Sequence, residues 1–389
     1  MASDTRSSAP QAEGARSPAP QISRSGGLLE RMLEDLPGPD EAARQAVDER
    51  ASQVLRPAGA FGRLDQVAEW LAGWQRTPAP AVERPAVLVF AADHGVAAEG
   101  VSAYPASVTA AMVSAIEGEV ATVTAVARQV GAVVRCHVVG VGVPTGNIRT
   151  HDAMSADEFD AAVEAGAHAV ESAVESDGAD LLVLGELGIG NTTAAAAICG
   201  ALFGEGASGV DAHGPDRCAT SALARSSHDS LMSAAQAAAS LWTGPGTGVH
   251  GGALERKTAV VADALERVGR VSPAEALRRL GGRELAALAG AALAARHRSI
   301  PVILDGFIGT AAVAPLALAA PGSLDHCIAG HCSAEPGHRE LLSRLGLEPL
   351  VHLDLRLGEG TGALIAVPLV RIAAAAVTDV ATFAEWDLA

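Results

Sequence analysis

The sequence predicts an α/β fold with a doubly wound parallel sheet of about six strands, and three observations carry that expectation. Six apolar runs recur along the chain: Ala86–Ala92, Val133–Val141, Leu181–Leu184, Pro301–Leu304, His326–Ala329 and Leu350–Leu355. Runs this continuous suit strands buried on both faces, as in a parallel sheet covered by helices. Helical segments separate them, at Thr109–Val130, Asp157–Glu175, Thr192–Leu202, Ala253–Val268, Glu284–Arg296, Thr310–Ala319 and Gly337–Leu345, with a last helix over Thr361–Val377. Polar residues follow the strands: Asp93 and His94 the first, Glu186 the third, Asp305 the fourth, His331 and Ser333 the fifth, Arg356 and Glu359 the sixth. In a parallel sheet these would gather on one rim, the side where ligands bind.

Taken in order, the chain opens with a Ser-, Pro- and Gly-rich tail, 1–27, which lacks apolar surface and is expected to be disordered. From Leu28 to about Trp74 the pattern is helical, and Leu64, Val67, Ala68 and Leu71 form an i, i+3, i+4, i+7 stripe. Because these helices precede any strand, they are expected to form a separate helical lobe. The last helix, Thr361–Val377, would fold back onto it. Phe203 to Leu241 is Gly-, Ser- and Ala-rich, carries Asp211, His213 and His228, and reads as a partly helical surface excursion.

Composition narrows the function. The 389 residues carry a formal charge of −17, which disfavours nucleic acid and anionic membranes as partners. Any anionic substrate must then be held by local positive features. Aromatic residues are 3%, so helices should pack closely on the sheet without large-ring pillars. Five cysteines with no C-x-x-C pair suit a reducing cytoplasm. No signal peptide is expected, and Pro368 and Arg371 argue against a membrane span in the last helix. His326-Cys327 and His331-Cys332 do not have a usual zinc spacing, so no metal is expected.

Two stretches carry chemistry. In LLVLGELGIGNTTAAAAI, Leu181–Ile198, a strand meets a glycine-broken turn, Gly185 to Gly190, and a helix that opens at Asn191-Thr192-Thr193. Such a turn lets backbone approach a ligand, and the positive end of a helix dipole favours a phosphate there. Glu186 adds a carboxylate at the same place. A plain βα turn with Asn191 as a cap accounts for the pattern equally well. In RLGEGTGA, Arg356–Ala363, Glu359 stands between Gly358 and Gly360 and would be presented to a ligand near a helix start. The bland alternative is an acidic residue complementing a helix dipole.

With both stretches in hand, the chain resembles the nicotinate-nucleotide:dimethylbenzimidazole phosphoribosyltransferase family. The resemblance runs through RPAGAFGRL, ADHGVAAEGVSAYP, GELGIGNTT, GTG with ERKTAVV, GGRELAALAG, PVILDGF, HCSAEPGH and RLGEGTGA, in that order. It implies a Rossmann-like large domain, 81–360, a smaller helical domain from 28–80 and 361–389, a homodimer, and no cofactor. It also implies a reaction: the phosphoribosyl group of nicotinate mononucleotide passes to 5,6-dimethylbenzimidazole, giving α-ribazole 5'-phosphate and nicotinate for cobalamin assembly. Glu359 would match the family's general base, with Glu186 and Asp305 as supporting acids. Gly188, Gly190, Asn191, Thr192 and Thr193 would match the phosphate turn, with Lys257 as a nearby cation. Ser102, Tyr104, Leu355, Arg356 and Gly358 would wall the benzimidazole pocket. The chain departs from the pattern at Val249-His250-Gly251-Gly252, at GHCS and in the long excursion, which leaves the phosphate-side contacts open. A nucleotide N-glycosidase would use similar carboxylates but activate water, and a catalytically silent nucleotide sensor would keep the GNTT turn without needing Glu359.

Overall fold

A computed structural model describes residues 27–204 and 233–387. Residues 1–26 of the tail and Cys218, Asp211, His213 and His228 of the excursion lie outside the described residues. The strands are β1 (Pro85–Ala92), β2 (Val133–Gly140), β3 (Leu181–Leu187), β4 (Val302–Leu304), β5 (Cys327–Cys332) and β6 (Pro349–His352). The helices are α1 (Leu28–Met32), α2 (Glu41–Ala51), α3 (Arg63–Gln75), α4 (Val108–Glu117), α5 (Thr122–Val130), α6 (Ala156–Ser176) and α7 (Asn191–Phe203). They continue with α8 (Ala234–Trp242), α9 (Gly252–Val268), α10 (Pro273–Leu280), α11 (Arg283–His297), α12 (Phe307–Ala319), α13 (Pro336–Leu345) and α14 (Thr361–Thr378).

The sheet is parallel throughout, in the order β2-β1-β3-β4-β5-β6. The chain runs outward from β1 to β2, then crosses back to place β3 on the other side of β1. That reversal makes a crevice beyond the carboxyl ends of β1 and β3, where open α/β sheets bind ligands. Strand side chains alternate between two cores, as the two-residue period requires. Leu88, Phe90, Leu182, Leu184, Val302 and Leu304 face a layer that includes α6, α7 and α9 to α12. Val87, Val89, Leu181, Val183 and Ile303 face α2, α3, α5 and α14.

The small-residue composition has a packing consequence. At Gly166 of α6 an added Cβ would collide with the Ala287 carbonyl of α11, and at Gly290 with the Val163 carbonyl of α6. The two backbones therefore approach at distances that only glycine permits.

Four local expectations are corrected. Thr109–Val130 is two helices, because the chain turns at Gly118 and Glu119, the latter with φ +57°. Strand β3 continues through Gly185 and Glu186 to Leu187, so the turn begins only at Gly188. The last strand ends at His352, short of Leu355. Finally, α14 is not interrupted: it runs through Pro368 and Arg371 and is long and apolar enough, by length and composition alone, to cross a membrane. It instead supplies Leu364, Val367, Val370 and Val377 to the core against the sheet. The N-terminal helices also divide: Leu29 of α1 joins the α6–α11 core, while α2 and α3 join α14 in the other. Chain ends meet where Val54 bridges Thr382 and where Arg50 Nε donates to the Val377 carbonyl at 2.9 Å.

Candidate active site

A cleft opens at the switch point, bordered by Glu186, Gly188, Asn191 and Thr192 from the β3–α7 connection and by Arg356 and Gly358 from the loop after β6. His331 at the end of β5 and Ser333 and Glu335 from the loop after it also border the cleft, with Phe307 at the start of α12 and Gly246 before α9. Gly190, at φ +99°, makes the turn into α7 and leaves that helix with no side-chain cap. Asn191 is not such a cap. Its Nδ2 donates to Glu186 Oε2 and holds that carboxyl at the cleft.

Three acids meet beneath the rim. Glu186 is buried, and desolvation, followed by the nearby Asp305 and Glu284, pushes its carboxyl well above the ordinary carboxylate range. Glu359 is buried as well and is raised by desolvation, while the Val123 amide at the start of α5 pulls it the other way. Its Oε2 has no hydrogen-bond partner among the described residues. The backbone of Glu359 sits at φ +61°, a left-handed conformation costing roughly 1–2 kcal/mol outside glycine. A hydrogen bond from its N–H to the Glu186 carbonyl, at 3.1 Å, ties it to β3. Asp305 differs from the other two. Burial opposes its charge, but His331 and the amides of Ala363 and Gly360 outweigh that and hold it below the usual range.

The cation is present but indirect. Lys257 is fully buried on α9, and its Nζ donates to Thr192 Oγ1 at 2.9 Å and to the Gly244 carbonyl at 2.8 Å. Desolvation lowers its pKa to about 8. Thr192 borders the cleft, whereas Thr193 points into the core with its hydroxyl unpartnered among the described residues. Glu335 lies close enough to Lys257 for that charge to oppose the rise which burial imposes on its carboxyl.

The structure thus brings Glu186, Gly188, Asn191, Thr192, Arg356 and Gly358 to the cleft wall, with Lys257, Asp305, Glu359 and Gly190 directly behind or beside it. Ser102, Tyr104 and Leu355 are not among the lining residues. Tyr104 is exposed on the loop before α4, its N–H donating to Ser102 Oγ at 3.2 Å, and the Leu355 carbonyl accepts from Ala334 N at 2.9 Å. Sequence reasoning did not single out Glu335, Phe307 or Gly246. Glu335 had a signal, since it stands before Pro336 at the first turn of a helix that follows a strand. His94 is spent elsewhere, in a fully buried pair with Glu284. Among the described residues no group of three or more His, Cys, Asp or Glu is arranged to hold a metal ion.

Comparison with known proteins fits this geometry. A family model described as Phosphoribosyltransferase matches residues 36–225 and 222–387. The nicotinate-nucleotide–dimethylbenzimidazole phosphoribosyltransferase of Cereibacter sphaeroides is 47% identical over 360 residues, covering 92% of this chain and 96% of that protein. The enzyme of the same name from Novosphingobium aromaticivorans is 45% identical, covering 93% of this chain and 96% of that protein. The crystal structure of CobT from Thermus thermophilus superposes with a TM-score of 0.76 at 38% identity, over 90% of this chain and 99% of that one.

Proposed function

Because the chain belongs to the nicotinate-nucleotide–dimethylbenzimidazole phosphoribosyltransferase family and transfers phosphoribosyl from nicotinate mononucleotide to 5,6-dimethylbenzimidazole, we propose that Glu359 is the base of that transfer. One benzimidazole nitrogen attacks C1' of the ribose while the C1'–N bond to nicotinate breaks. The nicotinate ring leaves as a pyridine with a neutral nitrogen and needs no acid. The attacking ring, alkylated on one nitrogen, must lose the proton on the other, and Glu359 accepts it. Proton transfer to a placed group is typically worth ~10² to 10⁴ in rate.

The observation that carries this reading is the state of Glu359 itself: buried, raised in pKa by desolvation, fixed in a left-handed backbone and left with one unpartnered oxygen. A group in that state is poised to take up a proton. Glu186, held by Asn191, faces the donor ribose, and the 5'-phosphate occupies the turn Gly188 to Thr193 with the Thr192 hydroxyl as donor and Lys257 behind it. Arg356 and Gly358 form the acceptor side, and Ser102, Tyr104 and Leu355 join it around the bound base. The smaller helical unit is α2 and α3 with α14. The enzyme acts as a cytoplasmic homodimer, and exposed Val138 on edge strand β2 and Val143 just beyond it offer apolar surface to a second copy.

The test is Glu359→Gln, which keeps size but cannot accept the proton. Turnover should fall by roughly 10² or more with both Michaelis constants nearly unchanged. Near-normal turnover would remove Glu359 from the role, and ribose 5-phosphate as the product in place of α-ribazole 5'-phosphate would indicate attack by water.

A further inference from the structure

The loop that carries Glu359 is unusual in its backbone. Gly358, Glu359 and Gly360 lie consecutively at φ +87°, +61° and +81°. Three left-handed residues in a row, one of them not glycine, persist only where surrounding contacts fix them. On the β3 side the contact is the hydrogen bond from the Glu359 amide to the Glu186 carbonyl. On the other side it is Asp305, at the end of β4. Its Oδ2 accepts from Gly360 N at 3.2 Å, and its Oδ1 accepts from Ala363 N at 2.9 Å. His331, at the end of β5, brings Nε2 to 3.3 Å from the same Oδ1. The His331 ring lies against Gly362 so closely that no Cβ fits there. Since α14 has no side-chain cap of its own, the Asp305 carboxylate serves as one from a distant strand.

Both oxygens of Asp305 are therefore committed to protein donors, and all of those donors belong to or brace the Glu359 loop. We infer that Asp305 and His331 are positioning residues: a clamp spanning β4, β5 and the start of α14 that fixes Glu359 in its left-handed presentation, with Asp305 making no contact with the ribose. The inference rests on Glu359 as the base. It differs from a simple helix cap in one consequence. A cap would stabilise α14 whatever stands at position 359, whereas a clamp matters to catalysis only through Glu359.

A double-mutant cycle separates these cases. Asp305→Asn presents an amide donor to donors that now meet a carboxylate oxygen. It should lower kcat roughly 10- to 100-fold, the scale of a misplacement of about 1 Å, with the Michaelis constant for nicotinate mononucleotide within about threefold of wild type. The losses in Asp305→Asn and Glu359→Gln should not add, so that the double variant turns over within about threefold of Glu359→Gln alone. Should Asp305→Asn not fold, His331 supplies the same test. His331→Ala should lose kcat, non-additively with Glu359→Gln, and His331→Gln, which keeps an N–H near Asp305, should regain most of it. Fully additive losses, a large rise in the nucleotide Michaelis constant, or wild-type kcat in Asp305→Asn would overturn the clamp. An active Glu359→Gln single variant would overturn the base assignment instead, so the two failures are distinguishable.

Discussion

Gly185→Ala offers a sharp test of how rigidly Glu359, the proposed base, is held. Gly185 lies inside β3, paired with Val89 of β1, and carries no unusual backbone angle, so its lack of a side chain must matter for contact. A Cβ placed there would sit 2.5 Å from the Glu359 carbonyl carbon, 2.6 Å from its oxygen and 2.6 Å from Gly360 N. Ordinary contacts begin near 3.4 Å, so about 1 Å of separation must be found, and overpacking of this kind costs roughly 1–3 kcal/mol. All three opposing atoms are backbone, so no side-chain rotation relieves the clash. Strand β3 is central in the sheet, and the loop is the part that gives. Moving Glu359 by about 1 Å should lower kcat by roughly 10² while the nucleotide Michaelis constant, set at the other end of the cleft, changes little. Steady-state release of nicotinate with each substrate varied in turn, alongside a thermal melt, measures both. A variant within threefold of wild-type kcat and unshifted in melting would refute the argument, because it would mean that the loop relaxes freely around an extra methyl group.

Other perturbations have expected signs. Gly190→Val forces a branched residue to φ +99° at the phosphate turn and should raise the Michaelis constant for nicotinate mononucleotide far more than that for the benzimidazole; equal effects on the two constants would move the phosphate elsewhere. Lys257, with its pKa brought down to about 8, is cationic below that pH and neutral above it, so kcat/KM for the nucleotide should fall as pH rises through about 8, and Lys257→Met should lack that limb. His326 and His338 are both depressed by burial from 6.5 to about 3, so the native state keeps them neutral while the unfolded chain protonates below 6.5. Stability should therefore decline between pH 6.5 and 3 by up to about 1.4 kcal/mol per pH unit for each, and urea midpoints at pH 7 and 4.5 should differ less in His326→Gln than in wild type.

The strands were legible because a run such as Ala86–Ala92 is apolar on both faces, which only a covered sheet tolerates. The two glutamates were legible from their glycine neighbours. What stayed hidden depends on contacts between segments distant in sequence. Reading Gly185 as the start of a turn follows the usual meaning of glycine, yet it remains in the strand, and the reason for it is the Glu359 backbone 174 residues later. Asp305 reads as one more acid at a strand end, since the amides it binds lie 55 and 58 positions away. Pro368 reads as an interruption of the last helix, but burial of α14 against the sheet outweighs the bond that proline removes.

The site also bears on a difficulty raised by composition: a chain with a formal charge of −17 would have to seat a phosphate monoester near four carboxyls, those of Glu186, Glu335, Asp305 and Glu359. The carboxyls are not all handled alike. Asp305 keeps its charge, but α14's first amides and His331 absorb it. Glu186 and Glu359 have no such compensation in full, and burial raises both, so each holds a proton to a higher pH than a free carboxyl does. Two cations stand against these acids, Arg356 on the cleft wall and Lys257 behind Thr192. Separate environments acting on like groups are how one fold assigns them separate tasks. Of Glu186, Asp305 and Glu359, only the proposed base, Glu359, has a left-handed backbone, which fixes its carboxylate where the proton of an attacking ring would be taken up.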